Sequence, residues 1–457
     1  MTGKTLLRIY DPAEARTTLL ARNPVDDVEV TPTLAAGIKR VFGESLTPDQ
    51  AVRRLLIDVR RRGDAALGEW TQRIDGVSLD DLRVPSQDLA TAYAALAPEL
   101  RHALQVSIER VRAFHQKQPL GGWLDWSSDG SALGQIVRPL ERVGVYTPGG
   151  RAPYPSTLIM CVVPAQVAGV EEIVVATPPD PHGQPAPIIL AAAYACGLET
   201  VYRVGGAQAI AALAYGTQSI PRVDKIVGPG NIFVVLAKRQ VYGMVDIDGL
   251  PGPTETLVVA DAQADPTLVA ADLLAQAEHD TLASAILLTP SRPLAEAVQV
   301  EIGRQMENLS RAEVIAESLH QQGGIVLCTD LDEALDLANL YAAEHLCLHV
   351  AAPWDLVGKV RHAGGIFLGE HSYEVLGDYV AGPTHVMPTM GTARFASPLS
   401  VRDFTKIISL FALSEDQASQ IGEAAQTLAE AEGLTAHAAA AAKRQQRRKA
   451  SQVESAP

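Results

Sequence analysis

Hydrophobic and polar residues follow two different periods along the chain, and these periods predict where strands and helices form. Between residues 171 and 243, short apolar runs such as EEIVVATPP and DKIVGPG alternate with longer stretches such as AQAIAALAYGT and NIFVVLAKRQVYG. The short runs predict buried strands and the longer stretches predict helices. The same alternation returns from about residue 256, in TLVVAD, ASAILLTP and GGIVLCTD. An α/β protein with two parallel-sheet lobes and a cleft is therefore predicted.

Both ends of the chain are predicted to be helical. Residues 47–120 show amphipathic helical spacing, and the sequence after about residue 400 is rich in alanine, with Gly433 dividing it into two helices. Alanine-rich helices have little apolar side-chain surface, so the tail either docks on another surface or is a spacer. The expected domains are an N-terminal helical arm at 1–40, one lobe from 41–149 and 257–400, a second lobe from 150–256, and a helical tail at 401–457.

Composition argues against two classes of partner. The chain has 457 residues and a formal net charge of −15, whereas nucleic acids and anionic membranes select basic surfaces. We therefore expect neither as a partner. The four cysteines match neither a disulfide framework nor a zinc knuckle, and the N-terminal sequence does not read as a secretory signal. These features lead us to expect a cytoplasmic protein.

The octapeptide LLAQAEHD carries the first candidate chemistry. It ends a predicted helix that begins at Asp265 and Pro266, and it puts Gln276 and His279 on one helical face. Such a pair often binds only water or a backbone carbonyl. It could instead supply two metal ligands, which would need partners from elsewhere in the chain. Asp378 in LGDYVAGPTHVMPT and His437 in LTAHAAA offer the missing oxygen and nitrogen atoms.

A second candidate is the adjacent pair Glu344 and His345 in YAAEHLCLHV. The pattern predicts that both residues end a helix just before a buried strand, which would place two proton-transfer groups at the rim of the cleft. Cys347 lies two residues further on and could act as the nucleophile of an aldehyde oxidation. Its position in the strand CLHV favours a buried apolar role instead.

Glycines lie at the predicted strand-to-helix turns in YTPGG, VGGAQ and VGPGN. Backbone amides and helix N-termini at such turns can bind phosphate, at the carboxyl ends of parallel strands. The sequence has no GxGxxG, and glycine turns are common in any parallel sheet. A nucleotide site and a purely structural role both remain open on these turns alone.

Taken in order, these motifs resemble those of the histidinol dehydrogenase family. The shared segments are YTPGGRAPYPSTLIM, PAQVAGV, VGGAQAIAALAYGT, GPGN, LLAQAEHD, AAEHL, GDYVAGPTHVMPT and EGLTAH. The resemblance implies two Rossmann-like lobes with a cleft, a helical arm and a helical tail, in an intertwined homodimer. It also implies oxidation of L-histidinol to L-histidine through L-histidinaldehyde with two NAD, the final steps of histidine biosynthesis. The lobe that includes 257–400 would be catalytic, 150–256 would bind NAD, and the tail would form the dimer.

The resemblance further implies roles for individual residues. His345 would be the general base, and Glu344 would activate water. The residues expected to hold one zinc ion per subunit are Gln276, His279, Asp378 and, from the other subunit, His437. The residues expected to contact NAD are Tyr146, Gln208 and Asn231. The residues expected to contact the substrate are Thr254, Gln276, His279, His345, Asp378, His385, Glu432 and His437.

Two other functions stay open, and three departures from the family pattern stand out. One alternative is a relative that oxidises another polar alcohol, such as a hydroxylated sulfonate, although Glu432 and His385 favour an amine with an imidazole. The other is a zinc hydrolase that uses Glu344 without NAD. The departures are Thr254 in GPTE where the family has GPSE, Thr384 in place of asparagine, and KIISL in place of KRTSV. None of them removes a catalytic group.

Overall fold

The computed structural model describes residues 7–22, 30–149 and 153–454, with backbone only from 448 onward. Parts of the predicted arm, at 1–6 and 23–29, and Gly150 of the YTPGG turn lie outside the described residues. The strands in chain order are β1 (Ile9–Tyr10), β2 (Arg83–Val84), β3 (Trp123–Trp126), β4 (Ala132–Pro139), β5 (Arg142–Tyr146), β6 (Glu172–Thr177), β7 (Val201–Arg203), β8 (Lys225–Val227), β9 (Asp246–Ile247), β10 (Glu255–Ala260), β11 (Ser284–Thr289), β12 (Gly324–Leu327), β13 (His345–His349), β14 (Gly365–Leu368) and β15 (Thr405–Ala412). The helices are α1 (Pro12–Thr17), α2 (Pro32–Phe42), α3 (Pro48–Arg62), α4 (Asp64–Asp75), α5 (Ser86–Ala94), α6 (Pro98–His115), α7 (Pro155–Ala168), α8 (Pro187–Ala195), α9 (Gly206–Tyr215), α10 (Ile232–Val241), α11 (Pro266–Ala277), α12 (Arg292–Met306), α13 (Ala312–Gln322), α14 (Leu331–Tyr341), α15 (Trp354–Val357), α16 (Glu374–Tyr379), α17 (Glu415–Ala431) and α18 (Thr435–Glu454).

Two six-stranded sheets organise the first compact unit, which comprises Met1–Gln118 and Leu140–Phe404. Sheet I has the order β2-β7-β6-β5-β8-β9, and sheet II has the order β1-β12-β11-β10-β13-β14. All neighbouring strands are parallel except β2, which is antiparallel to β7. Every residue of β10 and of β11 is buried, because helices cover both faces of the sheet. The prediction of an α/β fold with two parallel-sheet lobes is confirmed.

Part of the range 41–149, expected in one lobe with 257–400, lies in the sheet I lobe instead. Strand β5, expected in the lobe of 257–400, pairs with β6 and β8 inside sheet I. Helices α3 and α4 likewise share an apolar core with α9 and α10, on one face of sheet I. The apolar pattern of RVGVY identifies a buried strand but does not select its neighbours, which are fixed by long-range packing.

The second compact unit, Pro119–Pro139 and Thr405–Pro457, contains a third sheet and a helical hairpin. Sheet III is antiparallel with the order β15-β4-β3, and all eight residues of β15 pair with β4. The expectation that 401–457 is wholly helical is therefore wrong for β15, because a partner so far away in sequence leaves no local signal. Gly433, in a left-handed conformation with φ +75°, separates α17 from α18 as predicted. Among the described residues, no helix has both the length and the apolar character needed to cross a bilayer.

Opposite edges of the two sheets carry the candidate residues. Tyr146 ends β5 and Gly228 follows β8, so both lie at the carboxyl edge of sheet I. Glu255 begins β10 and His345 begins β13, so both lie at the amino edge of sheet II. Helix α11 connects the parallel neighbours β10 and β11, so it runs back along the sheet and its last turn returns to that amino edge. The segment after α16 packs against the sheet I lobe, where Phe404 is buried in the apolar core of α6 and α7.

Candidate active site

Helix α11 brings the residues of LLAQAEHD to the amino edge of sheet II. The carboxylate of Asp265 accepts a hydrogen bond from the Thr267 amide at 2.8 Å, and Pro266 is the first helical residue, so the predicted start is confirmed. The helix ends at Ala277. His279 lies just beyond this end, where its amide donates to the Gln276 carbonyl at 3.2 Å. The side chains of Gln276 and His279 therefore both lie at the C-terminal end of α11.

The side chain of Gln276 is fully buried, yet neither its amide oxygen nor its amide nitrogen has a hydrogen-bond partner among the described residues. Burying an unsatisfied amide costs about 1–3 kcal/mol, and such groups are uncommon in native proteins. An amide oxygen is a suitable ligand for a cation. The unpaired amide is thus the observation that supports Gln276 as a metal ligand.

A cluster of three residues could hold that metal. Ligand atoms of His279, Glu374 and Asp378 all lie within 4.8 Å of one another, and Nε2 of His279 is 4.0 Å from Oδ2 of Asp378. Desolvation lowers the pKa of His279, which favours the neutral ring that binds metals. Glu374 is absent from the predicted ligand set. Its only sequence signal is the four-residue spacing from Asp378 in EVLGDY, which places both carboxylates on one side of α16.

Glu344 immediately precedes β13 and His345 begins it, so the prediction that the pair ends a helix is wrong. Helix α14 already ends at Tyr341, and Ala342 adopts a left-handed conformation with φ 55° that turns the chain into the strand. The apolar spacing of LYAAEHL continues past this turn, which is why the sequence pattern suggested a longer helix.

Thr254 and Glu255, at the start of neighbouring β10, hold this pair in place. Oε2 of Glu344 accepts hydrogen bonds from the Thr254 hydroxyl at 2.5 Å and from the Glu255 amide at 3.1 Å. Nδ1 of His345 lies 3.2 Å from the Glu255 carbonyl. Because a carbonyl only accepts, Nδ1 is the donor, and in the neutral ring Nε2 is then the nitrogen with the lone pair. Nε2 is 3.9 Å from Oδ1 of Asp378 and makes no hydrogen bond among the described residues.

Burial raises the pKa values of two carboxyl groups in the site. It raises the pKa of Glu344 to about 7, although His345 and the hydrogen bond from Thr254 oppose the shift. Burial and the nearby Asp378 also raise the pKa of Glu374, whose carboxylate accepts a hydrogen bond from Thr256. A carboxyl group with a pKa near neutrality can exchange a proton during turnover, so Glu344 is suited to act as a general base.

The loop after α16 contributes His385. Its Nδ1 contacts the carbonyl oxygen of Asp378 at 2.8 Å, and its Nε2 lies 3.2 Å from the Thr157 hydroxyl on α7. Desolvation lowers the pKa of His385, which favours the neutral ring. Thr384, one of the departures from the family pattern, is buried and donates to the Met160 carbonyl at 3.3 Å. This threonine therefore anchors the loop to α7.

Two residues expected to contact NAD, Tyr146 and Gln208, lie at the carboxyl edge of sheet I. The Tyr146 hydroxyl accepts a hydrogen bond from the Gly206 amide at 3.1 Å. The Gln208 amide group donates to Asp75 at 2.9 Å, while its oxygen has no partner among the described residues. Burial raises the pKa of Tyr146 to about 12 and that of Asp75 to about 6. Asp75 at the end of α4 gave no sequence signal of this role.

The VGPGN turn is fixed beside Tyr146 by a buried ion pair. Lys238 and Asp248 pair with each other. Nζ of Lys238 also donates to the Gly228 carbonyl at 3.0 Å, and the Asp248 carboxylate accepts a hydrogen bond from the Gly228 amide at 2.7 Å. Gly228 has φ +111°, and an added Cβ would lie only 2.0 Å from the Tyr146 carbonyl oxygen, so glycine is required. Asn231, the third residue expected at NAD, is exposed and caps α10 through its side-chain oxygen.

Glu432 and His437 belong to the second compact unit. Glu432 follows α17, and His437 lies in the first turn of α18, as the sequence predicts. Both side chains are exposed. The contacts that bring together Glu344, His345 and Asp378 are all made within the first unit.

Comparison with known proteins identifies the family. The family model described as histidinol dehydrogenase matches residues 42–445. The chain belongs to the histidinol dehydrogenase family. A histidinol dehydrogenase of Deinococcus radiodurans is 56% identical over 436 residues, which are 95% of this chain and 99% of the relative. That of Thermus thermophilus is 53% identical over 392 residues, or 86% and 93% of the two chains.

The structural comparison agrees with the sequence comparison. The crystal structure of histidinol dehydrogenase from Elizabethkingia anophelis matches with a TM-score of 0.89 at 33% identity, covering 98% of this chain and 100% of that one. The α/β architecture is thus that of histidinol dehydrogenase. Membership of this family makes the chain an NAD-dependent oxidoreductase.

Proposed function

We propose that this enzyme oxidises L-histidinol to L-histidine through L-histidinaldehyde, the last two steps of histidine biosynthesis, with two NAD per histidinol. The observation that carries the proposal is the arrangement of His345 and Glu344 at the amino edge of sheet II. His345 offers an unpaired Nε2 beside Asp378, and Glu344 is a buried carboxyl group with a pKa near neutrality. Two successive oxidations need one base for the hydroxyl protons and one group that activates water.

The residues present fit one zinc ion per subunit. The buried amide of Gln276, the imidazole of His279 and the carboxylate of Asp378 are suitable donors, and Glu374 lies within reach of the same position. We propose that His437 of a second subunit completes the set. When bound, zinc would orient the amino and imidazole nitrogens of histidinol and hold the alcohol beside the bases.

In the first oxidation, Nε2 of His345 accepts the hydroxyl proton of the bound alcohol while the carbon loses a hydride and becomes the aldehyde. Glu344 then takes a proton from a water molecule whose oxygen bonds to the aldehyde carbon, and His345 returns its proton to the aldehyde oxygen, which gives the hydrate and frees Nε2 again. His345 accepts a hydroxyl proton from the hydrate as the same carbon loses a second hydride, and the product is the carboxylic acid. Nδ1 stays bonded to the Glu255 carbonyl and keeps Nε2 aimed at the substrate.

NAD supplies the hydride acceptor for each oxidation when it is bound in the sheet I lobe. We assign its site to Tyr146, Gln208 and Asn231 at the carboxyl edge. Support comes from the Gln208 oxygen, which is buried and unpaired among the described residues. Thr254, His385 and, from a second subunit, Glu432 would contact the substrate. The carboxylate of Glu432 suits the cationic amine of histidinol.

The proposed homodimer rests on the surface of the second compact unit. Several large apolar side chains are exposed there, with Trp126 65% and Phe411 74% accessible. Contiguous exposed apolar surface is a feature of interaction sites, and burying it against a second copy would be favourable by about 25 cal/mol per Å². A tail exchanged in this way would deliver Glu432 and His437 together to the partner's site.

The four cysteines are free and buried, which supports the proposed cytoplasmic location.

Two inactive variants should restore each other if the tail acts in trans. Mixing His437→Ala with His279→Ala under conditions that allow subunit exchange places both lesions in one site of a mixed dimer and leaves the other site intact. Activity should recover to about half of the wild-type value per mixed dimer. A matched control mixes His279→Ala with Asp378→Ala, whose lesions lie in the same unit of the chain and cannot complement. Recovery in neither mixture would show that His437 acts within its own subunit.

The proposed activity is tested by following NAD reduction with L-histidinol. A hydroxylated sulfonate serves as the comparison substrate, because it is the alternative polar alcohol for this fold. We expect rapid reduction with histidinol only. Faster reduction with the sulfonate would reassign the substrate, and hydrolytic activity without any NAD reduction would reject the proposal.

A further inference from the structure

Arg22, in the N-terminal arm, contacts Glu255 and Tyr341, two residues next to the catalytic pair. Its guanidinium group forms a two-pronged ion pair with the Glu255 carboxylate, with Nη2 at 2.9 Å from Oε2. The same group donates to the Tyr341 carbonyl at 2.6 and 3.1 Å and lies 3.6 Å above the Tyr341 ring. The Glu255 side chain is buried, and its only other hydrogen bond among the described residues comes from the Met390 amide. Arg22 is therefore the only cation paired with this carboxylate in the described part of the chain.

Glu255 is also the residue whose backbone holds both catalytic side chains. Its amide donates to Glu344 at 3.1 Å, and its carbonyl accepts from Nδ1 of His345 at 3.2 Å. Glu255 is the first residue of β10, and the Thr254 carbonyl before it accepts a hydrogen bond from the Ser284 amide at 3.0 Å, so its peptide groups lie at the edge of the sheet ladder. The contacts of its side chain add to this ladder in fixing the position of those peptide groups. Tyr341, the other partner of Arg22, ends α14 just before Glu344 and so anchors the catalytic turn from its other side.

We propose that Arg22 is a positioning residue that acts through Glu255 to hold the side chains of Glu344 and His345 in the positions that the substrate requires. This inference rests on the proposed roles of Glu344 and His345. Without the guanidinium group, the buried Glu255 carboxylate would lose the one cation that pairs with it among the described residues, and it would move towards solvent or draw in water. A displacement of the Glu255 peptide groups would misplace both bases at once. Misplacement by about 1 Å is enough to cost roughly 10²-fold in rate.

Replacing Arg22 by alanine should lower kcat for both oxidations by about 10- to 100-fold. The KM for NAD should stay close to the wild-type value, because NAD is assigned to the sheet I lobe. Arg22→Lys keeps a charge but loses the forked geometry, so its loss should be intermediate. Added guanidinium ion should restore part of the activity of Arg22→Ala, because 26% of the Arg22 side chain reaches solvent and gives the ion access. Arg8→Ala is the matched control, since Arg8 lies in the same arm and its exposed side chain contacts Glu14 and the Tyr10 ring instead of Glu255.

The full-length enzyme is assayed with histidinol and NAD, and thermal unfolding of each variant confirms that it is folded. The double variant Arg22→Ala with Glu255→Gln should lose no more activity than Arg22→Ala alone, since the two groups act as one unit. If Arg22→Ala does not fold, Arg22→Lys takes its place in the comparison. Wild-type kcat in a folded Arg22 variant, or losses that guanidinium does not reduce, would overturn the inference. A wild-type enzyme that does not reduce NAD with histidinol would instead reject the proposed function.

Discussion

Replacing Glu344 by glutamine should slow the second oxidation by about 10²- to 10⁴-fold while sparing most of the first. In the proposed reaction, Glu344 is needed only after the aldehyde forms, when it takes a proton from water. Glutamine keeps the hydrogen bonds from Thr254 and the Glu255 amide through its carbonyl oxygen but cannot accept that proton. Rapid-mixing measurements that start from histidinol and from histidinaldehyde separate the two steps.

The pH dependence gives an independent check on Glu344. Its pKa is raised to about 7 by burial, and only the ionised form is a base. The rate of the second oxidation should therefore rise with pH through about 7 and level off above it, and this rise should disappear in Glu344→Gln. His345→Asn should impair both oxidations, because a hydroxyl proton leaves in each. Equal losses of the two steps in Glu344→Gln would show that the roles are assigned wrongly.

Removing the metal should abolish turnover, with a loss of at least about 10³-fold, since orientation of a bound reactant is worth several kcal/mol. Treatment with a strong chelator should give inactive protein, and zinc should restore it. His279→Ala should have the same effect and should also lower the zinc content measured by elemental analysis. His102→Ala is a suitable control, because His102 is an exposed histidine on α6. Full activity in protein shown to be metal-free would contradict the proposed role of the metal.

Features encoded within a few neighbouring residues were predictable from the sequence. Asp265 and Pro266 mark the start of α11, Gly433 separates the last two helices, and EEIVVATPP contains β6. In each case the signal is local: a cap, a left-handed glycine, or an apolar run of strand length. Such signals also sufficed to predict the two parallel-sheet lobes.

Features that depend on distant partners were not predictable. The choice of sheet I for β5 and the pairing of β15 with β4 follow from packing between segments far apart in the chain. In the site, the motifs pointed to Glu344, His345, Gln276 and Asp378, but the reasons for their geometry lie elsewhere. Arg22 and Glu374 look like ordinary surface charges in the sequence, and only the folded chain buries their contacts against Glu255 and Thr256.

The most direct test of the proposed four-electron oxidation is the number of NADH molecules formed per histidinol. A limiting amount of L-histidinol is consumed to completion with excess NAD, the NADH is quantified by absorbance, and the products are separated and identified. The proposed function predicts two NADH per histidinol, histidine as the product and no accumulation of the aldehyde. One NADH per histidinol with the aldehyde released, or no NADH at all, would contradict it.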